Sequence, residues 1–168
     1  GEWPAVGDAG APLVAVAAPP SCQPCAVFHD QVTPWLLSGP VARGEVRYAF
    51  RPVIETAVDQ AAVNVMLCAE PRYRRAVVDS ILDAPGIWAT SGDVPQALAE
   101  TVADSGMDPE RAAACARQGM ASRSSEIGLV GGGVVGSALE GAFTLAVGNR
   151  TLAGMPDVER LRDVLDGL

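Results

Sequence analysis

Lysine is absent from this chain. All 12 basic residues are arginine, set against 20 acidic ones, for a net charge of −8. An acidic balance of that size argues against nucleic acid or an anionic membrane surface as a partner. Histidine occurs once, at His29, and no second Cys-x-x-Cys accompanies the one at Cys22 and Cys25. A four-ligand zinc site is therefore a poor reading, since only His29, Cys68 and Cys115 remain to complete it. Nothing in the sequence forms a Ser-His-Asp constellation, a paired-carboxylate site or a metal-ligand repeat. No apolar run reaches the roughly 20 residues of a membrane-spanning helix. Gly1-Glu2-Trp3-Pro4 lacks the basic start and apolar stretch of a signal peptide. Membrane contact is expected only through an N-terminal segment that was removed or is absent.

What is present is a chain of 168 residues, 49% of them hydrophobic. That is enough for one domain with a core and room for an inserted subdomain. The stretch Ser21-Cys22-Gln23-Pro24-Cys25 organises it. Upstream, Leu13 to Ala18 is an apolar run that reads as a buried strand. Downstream, Val27, Phe28, Gln31 and Val32 fall at helical spacing. Pro24 suits a first helical turn, where its missing N–H would have no partner. A thiolate at such a strand-to-helix turn faces free backbone N–H groups and the positive end of the helix dipole, which lower its pKa.

Further along, the helix is expected to be kinked or split by Pro34 and to end at Gly39-Pro40. Glu45 to Arg51 alternates, with Val46, Tyr48 and Phe50 on one face, and predicts a second core strand that breaks at Pro52. Trp3 to Val6 suits a short edge strand. From Glu55 to about Ser125 the pattern is helical throughout, with helices over Thr56–Glu70, Pro71–Asp83, Val94–Ser105 and from Pro109 to about Ser125. Asp108-Pro109-Glu110 is a helix start with its N-cap. Gly128 to Gly141 is Gly-rich. Ala142–Val147 and Arg150–Ala153 predict two strands joined by a Gly148-Asn149 turn. Pro156 then opens a last helix, with Val158, Leu161, Val164, Leu165 and Leu168 along one face. The division expected is 1–54 with 126–168 as one domain and 55–125 as a helical insertion.

Several of these segments together resemble the DsbA-type thiol:disulfide oxidoreductases of the thioredoxin superfamily. They are Gly7-Asp8 through Ala11-Pro12, the apolar strand, the Cys-x-x-Cys, Phe28-His29, Val32-Thr33-Pro34, Gly44 to Arg51, Leu67-Cys68-Ala69 and Val147 to Gly154. The resemblance runs from about Gly7 to the C-terminus in the family's order. It implies an α/β thioredoxin fold, a central mixed sheet flanked by helices, with an inserted α-helical domain. It also implies disulfide exchange with protein substrates outside the cytoplasm, in the periplasm, cell envelope or medium, and a redox partner that recycles the enzyme. No cofactor is needed, because the cysteine pair carries the electrons. On this reading Cys22 attacks and Cys25 resolves, the N-terminal cysteine being the more exposed in the thioredoxin-like geometry.

Two features depart from the family. Val14, Ala15 and Val16 stand where an acidic residue is common. The family's cis-proline before the third strand is also missing, since no proline lies between Pro109 and Pro156. Ala138, Ala142 or Phe143 falls in that slot. A trans peptide is expected there, because a cis bond before a non-proline residue costs ~3–4 kcal/mol, with the glycines of 128–141 absorbing the altered path.

The remaining candidates have plainer alternatives. Cys22 and Cys25 could form an inert structural disulfide. Cys68 and Cys115 fall in two helices of the insertion, where the even cysteine count favours a second, structural disulfide over two separate buried thiols. His29, one helical turn after Cys25, reads as a partly exposed helix residue, with tuning of the thiols or help in binding a metal as the alternative. Gly131 to Gly136 matches G-x-G-x-x-G only formally, since it follows a helix and leads toward a strand. Two functional rivals remain: a thioredoxin-fold metal- or peptide-binding protein using the same cysteine pair, and a glutathione-dependent isomerase, against which Cys25 argues.

Overall fold

The computed structural model describes residues 3–122 and 143–168, together with the strand Gly128–Leu129. Five strands form one mixed sheet: β1 (Leu13–Ala18), β2 (Arg47–Ile54), β3 (Gly128–Leu129), β4 (Thr144–Val147) and β5 (Arg150–Leu152), in the order β3-β2-β1-β4-β5. β1 pairs in parallel with β2, Leu13 opposite Arg47 through Ala18 opposite Pro52. It pairs antiparallel with β4, Val14 opposite Val147. β1 is central, and Val14 to Ala18 are all buried, as a continuous apolar run requires when both faces are covered. The β4–β5 hairpin turns at Gly148-Asn149 with φ of +57° at Gly148. Among the described residues no other residue type has positive φ, so the turn is of the type that needs glycine at its first central position alone.

By their contacts the residues form two compact units. One is Gly1–Ala18, Val27–Pro52 and Leu129–Leu168; the other is Pro19–Ala26 with Val53–Gly128. The first carries nearly all of the sheet, and Val14, Val16, Leu36, Val46, Tyr48, Leu145 and Leu161 are buried in it. The second is helical. It contains α3 (Ala57–Cys68), α4 (Pro71–Asp83), α5 (Pro85–Trp88), α6 (Val94–Val102) and α7 (Pro109–Ala121), with α8 (Val158–Asp166) falling in the first unit. Trp88 is fully buried in the helical unit, and its indole N–H donates to the Ile81 carbonyl at 2.8 Å. Asp93 and Asp108 cap α6 and α7 through their side chains. Arg74 donates to the carbonyls of Met66, Leu67 and Ala69 and so closes the C-terminal end of α3.

α3 and α7 pack at Gly119. A Cβ added there would lie 2.6 Å from the Gln60 carbonyl oxygen and 2.8 Å from the Ala61 Cα. Both neighbours are backbone, so the two helices would have to separate. Gly119→Ala is expected to cost about 1–3 kcal/mol, despite alanine's better helix propensity. Urea unfolding would report it as a lower midpoint at unchanged slope; an unchanged midpoint would mean the helix pair has slack.

Four sequence expectations are corrected. The helix after the cysteines does not end at Gly39-Pro40, and the irregularity expected at Pro34 takes the form of a π turn just ahead of it. It runs as α1 (Cys25–Val27), a π turn (Phe28–Val32), α2 (Thr33–Leu36) and a second π turn (Leu37–Val41). In the first π turn the Thr33 N–H donates to the Phe28 carbonyl, five residues back. That wider turn accommodates Pro34, which has no N–H to offer. β2 continues through Pro52 to Ile54, because Pro52 stands at the last registered pair with β1, where the ladder needs little more from it. The last helix begins at Val158 rather than Pro156, since Asp157 is its N-cap and accepts from the Arg160 N–H at 2.9 Å. Of its apolar face only Leu161 is buried, and Leu168 is exposed. The expected edge strand at Trp3–Val6 reduces to one antiparallel bridge between Val6 and Tyr48.

Candidate active site

The site begins where β1 ends. Ser21 to Pro24 make a short turn, with the Cys22 N–H donating to the Pro19 carbonyl and the Ala26 N–H to the Gln23 carbonyl. α1 starts at Cys25, and the helical path continues to Val41. The Sγ atoms of Cys22 and Cys25 are bonded at 2.01 Å, with Cα atoms 5.3 Å apart. Their surroundings differ. Cys25 is 1% exposed, whereas Cys22 is half-buried and Gln23 and Pro24 are exposed. An incoming sulfur therefore reaches the pair from the Cys22 side. The Cys25 backbone N–H donates to the Cys22 sulfur at 3.3 Å. That donor stands at the start of α1, where the helix end carries partial positive charge.

The turn is tied to α3. The Ser21 N–H donates to Oδ1 of Asp59 at 2.9 Å. Asp59 is completely buried, and its Oδ2 accepts from the N–H groups of Glu55 and Thr56 and from the Thr56 hydroxyl. With the Asp59 N–H donating to the Thr56 hydroxyl, this is a capping box at the start of α3. Sequence reasoning passed over Asp59, although Thr56-Ala57-Val58-Asp59 carries the capping-box spacing. Gly86 of α5 also comes close to the turn, at Gln23: a Cβ there would be 3.8 Å from its side-chain oxygen. Ile87, next along, is 71% exposed.

The other predicted residues fall elsewhere. Cys68 at the end of α3 and Cys115 in α7 are bonded to each other, with Cα atoms 6.6 Å apart, so all four cysteines are paired. His29 is buried, not partly exposed: its ring meets Phe50 edge-on at 5.5 Å and Phe28 at 6.0 Å. Of the residues in the slot before β4, Phe143 packs its ring against Phe28 at 4.9 Å. Ala138 and Ala142 lie outside the described residues, as does the formal G-x-G-x-x-G. Among the described residues no three His, Cys, Asp or Glu side chains gather where they could hold a metal ion, and no helix is long and apolar enough to cross a membrane.

A half-exposed cysteine bonded to a buried one, at the head of the helix that follows the first strand of a mixed sheet, places the molecule among the thioredoxin-fold dithiol proteins. The chain belongs to the thioredoxin family, whose model matches residues 2–126. Its fold is that of the DsbA-type thiol:disulfide oxidoreductases, with their helical insertion. Wolbachia pipientis alpha-DsbA1 superposes with a TM-score of 0.73 at 17% identity, over 99% of this chain and 90% of that one. Chlamydia trachomatis DsbA gives 0.74 at 21% identity, over 98% and 89%. Oxidised BdbD from Bacillus subtilis gives 0.72 at 12% identity, over 99% and 92%. No curated protein matches the sequence significantly.

Proposed function

We propose that this protein is a dithiol–disulfide oxidoreductase that exchanges disulfides with exported protein substrates through its Cys-Gln-Pro-Cys motif. The observation that carries the reading is the asymmetry of the bonded pair: Cys22 half-exposed and served by a backbone N–H, Cys25 buried. In the oxidising direction a substrate thiolate attacks the Cys22 sulfur. The Cys22–Cys25 bond breaks, Cys25 leaves as a thiolate and takes up a proton, and the substrate is held to Cys22 as a mixed disulfide. A second substrate thiolate then attacks the substrate sulfur of that bond and releases Cys22. Two electrons pass from substrate to the cysteine pair, and reduction is the same path reversed. A redox partner returns the pair to its starting state.

Pairing of all four cysteines supports a place outside the cytoplasm, in the bacterial periplasm, cell envelope or medium. Cys68–Cys115 acts there as a structural clip in the inserted helical domain, taken as 55–125, with 1–54 and 126–168 as the thioredoxin-like domain. An insulin-reduction assay beside oxidation of a model dithiol tests the activity. Turnover by the wild type, lost on alkylation of the reduced dithiol, is the expected result. Copper binding by the reduced pair with no turnover in either assay would favour the metal-binding rival.

The missing proline bears on substrates. In the DsbA-type family the proline before the third strand presents a backbone edge to the substrate, and this chain offers Ala138, Ala142 or Phe143 in its place. The expectation is weaker or more selective activity on general protein substrates with intact chemistry at Cys22. Ala142→Pro or Phe143→Pro is then expected to raise insulin-reduction activity severalfold at matched potential. If neither does, the ring is not what limits this protein.

A further inference from the structure

Asp59 is more heavily bonded than an N-cap partner has to be, and its two oxygens serve different ends. Oδ2 completes the α3 cap, accepting from Glu55 N, Thr56 N and the Thr56 hydroxyl. Oδ1 instead reaches Ser21, 38 residues earlier in the chain and adjacent to Cys22. All four partners are donors, the pattern that a carboxylate, acceptor-only on both oxygens, satisfies fully. The side chain is wholly buried, so whatever it holds is held in a medium that screens charge poorly. We propose that Asp59 is a positioning residue for the dithiol: through the Ser21 backbone it fixes the turn that presents Cys22, and it sets the redox equilibrium of the Cys22–Cys25 pair.

The sign follows from distance and charge. Ser21 N and the Cys22 sulfur are separated by six covalent bonds, a path no longer than about 9 Å. The Oδ1 contact to Ser21 N is 2.9 Å, so the carboxylate lies within roughly 12 Å of the sulfur by the sum of the two. At an effective dielectric of about 20, a charge at that distance changes an ionisation equilibrium by about tenfold, and less where Cys22 meets solvent. A negative charge there disfavours the Cys22 thiolate. It therefore disfavours the reduced form of the pair and makes the protein a weaker oxidant than it would be without Asp59. Val14, Ala15 and Val16 leave the strand before the motif without an acid; the acid near this dithiol comes from the inserted helices instead.

The inference rests on the oxidoreductase reading, and one experiment separates the two. The oxidised and reduced protein are equilibrated with glutathione buffers, and the fraction reduced is read for wild type, Asp59→Asn and Asp108→Ala. Asp59→Asn is expected to shift the equilibrium three- to tenfold toward reduced protein, which is about 15–30 mV on a two-electron scale. Asp108→Ala removes an acid and a helix cap from the same unit, one that bonds Arg111 and not the cysteine turn, and is expected to lower stability with no shift. A wild type that never equilibrates removes the redox reading and this inference with it. A wild type that equilibrates, with Asp59→Asn indistinguishable from it, overturns the inference alone. Should Asp59→Asn fail to fold, hydrogen exchange on the wild type decides. The Ser21 amide is expected to be protected in both redox states, and exchange at the rate of an unstructured amide would overturn the tie.

Discussion

Cys22→Ser is expected to lower thiol–disulfide exchange by at least about a thousandfold, the scale on which enzymes lose rate when their nucleophile is removed. Cys25 cannot take over, because it is buried. Cys25→Ser has a different outcome. It keeps the attacking sulfur but removes the group that resolves the mixed disulfide, so substrate should accumulate covalently bound to Cys22 and appear as a mass adduct that dithiothreitol releases. Measured rates of insulin reduction and intact-protein mass spectrometry check the pair of variants together. Retained turnover in Cys22→Ser would reassign the nucleophile. Absence of adducts in Cys25→Ser would mean that no substrate sulfur reaches the site.

The second large effect concerns stability. Cys68 and Cys115 are 47 residues apart in sequence, and closing a loop of that size removes up to about 4 kcal/mol of chain entropy from the unfolded state. The bond joins α3 to α7, the helices that meet at Gly119. Replacing both cysteines by serine is expected to cost about 2–4 kcal/mol, with part of the loss arising from two hydroxyls left in a mostly buried place. Thermal or urea unfolding would show it. Because the link serves the helices and not the dithiol, the glutathione equilibrium of Cys22–Cys25 should stay at the wild-type value. A stability loss below 1 kcal/mol would mean that the helix packing holds this unit by itself.

Much of the fold and of the site is legible in the sequence. The strand from Leu13 to Ala18, the cysteine pair after it, the Asp-Pro-Glu start of α7 and the Gly148-Asn149 turn all announce themselves locally, through apolar runs, caps and turn chemistry. What escaped depends on partners distant in sequence. Pro52 reads as a strand breaker until its register opposite Ala18 is known. His29 reads as a helix surface residue until Phe28 and Phe50 enclose it. Pro34 announces an irregular helix, but periodicity cannot show that the irregularity is a π turn. Asp59 is legible as half of a capping box, but its bond to Ser21 joins residues 38 apart, and no local pattern encodes that. The same holds for the turn itself: Pro19–Ala26 groups by contacts with the helical unit, although in sequence it continues β1.

The proposed chemistry requires Cys22 to be a half-exposed, activated thiol at the head of a helix. The measurement that tests this most directly is the rate of iodoacetamide alkylation against pH, in protein reduced at the dithiol with Cys68–Cys115 intact, and with the modified peptide mapped. The predicted result is a single label on Cys22 with a midpoint well below the ~8.5 of free cysteine. Labelling of Cys25 first, or a midpoint at or above the free-cysteine value, would contradict it.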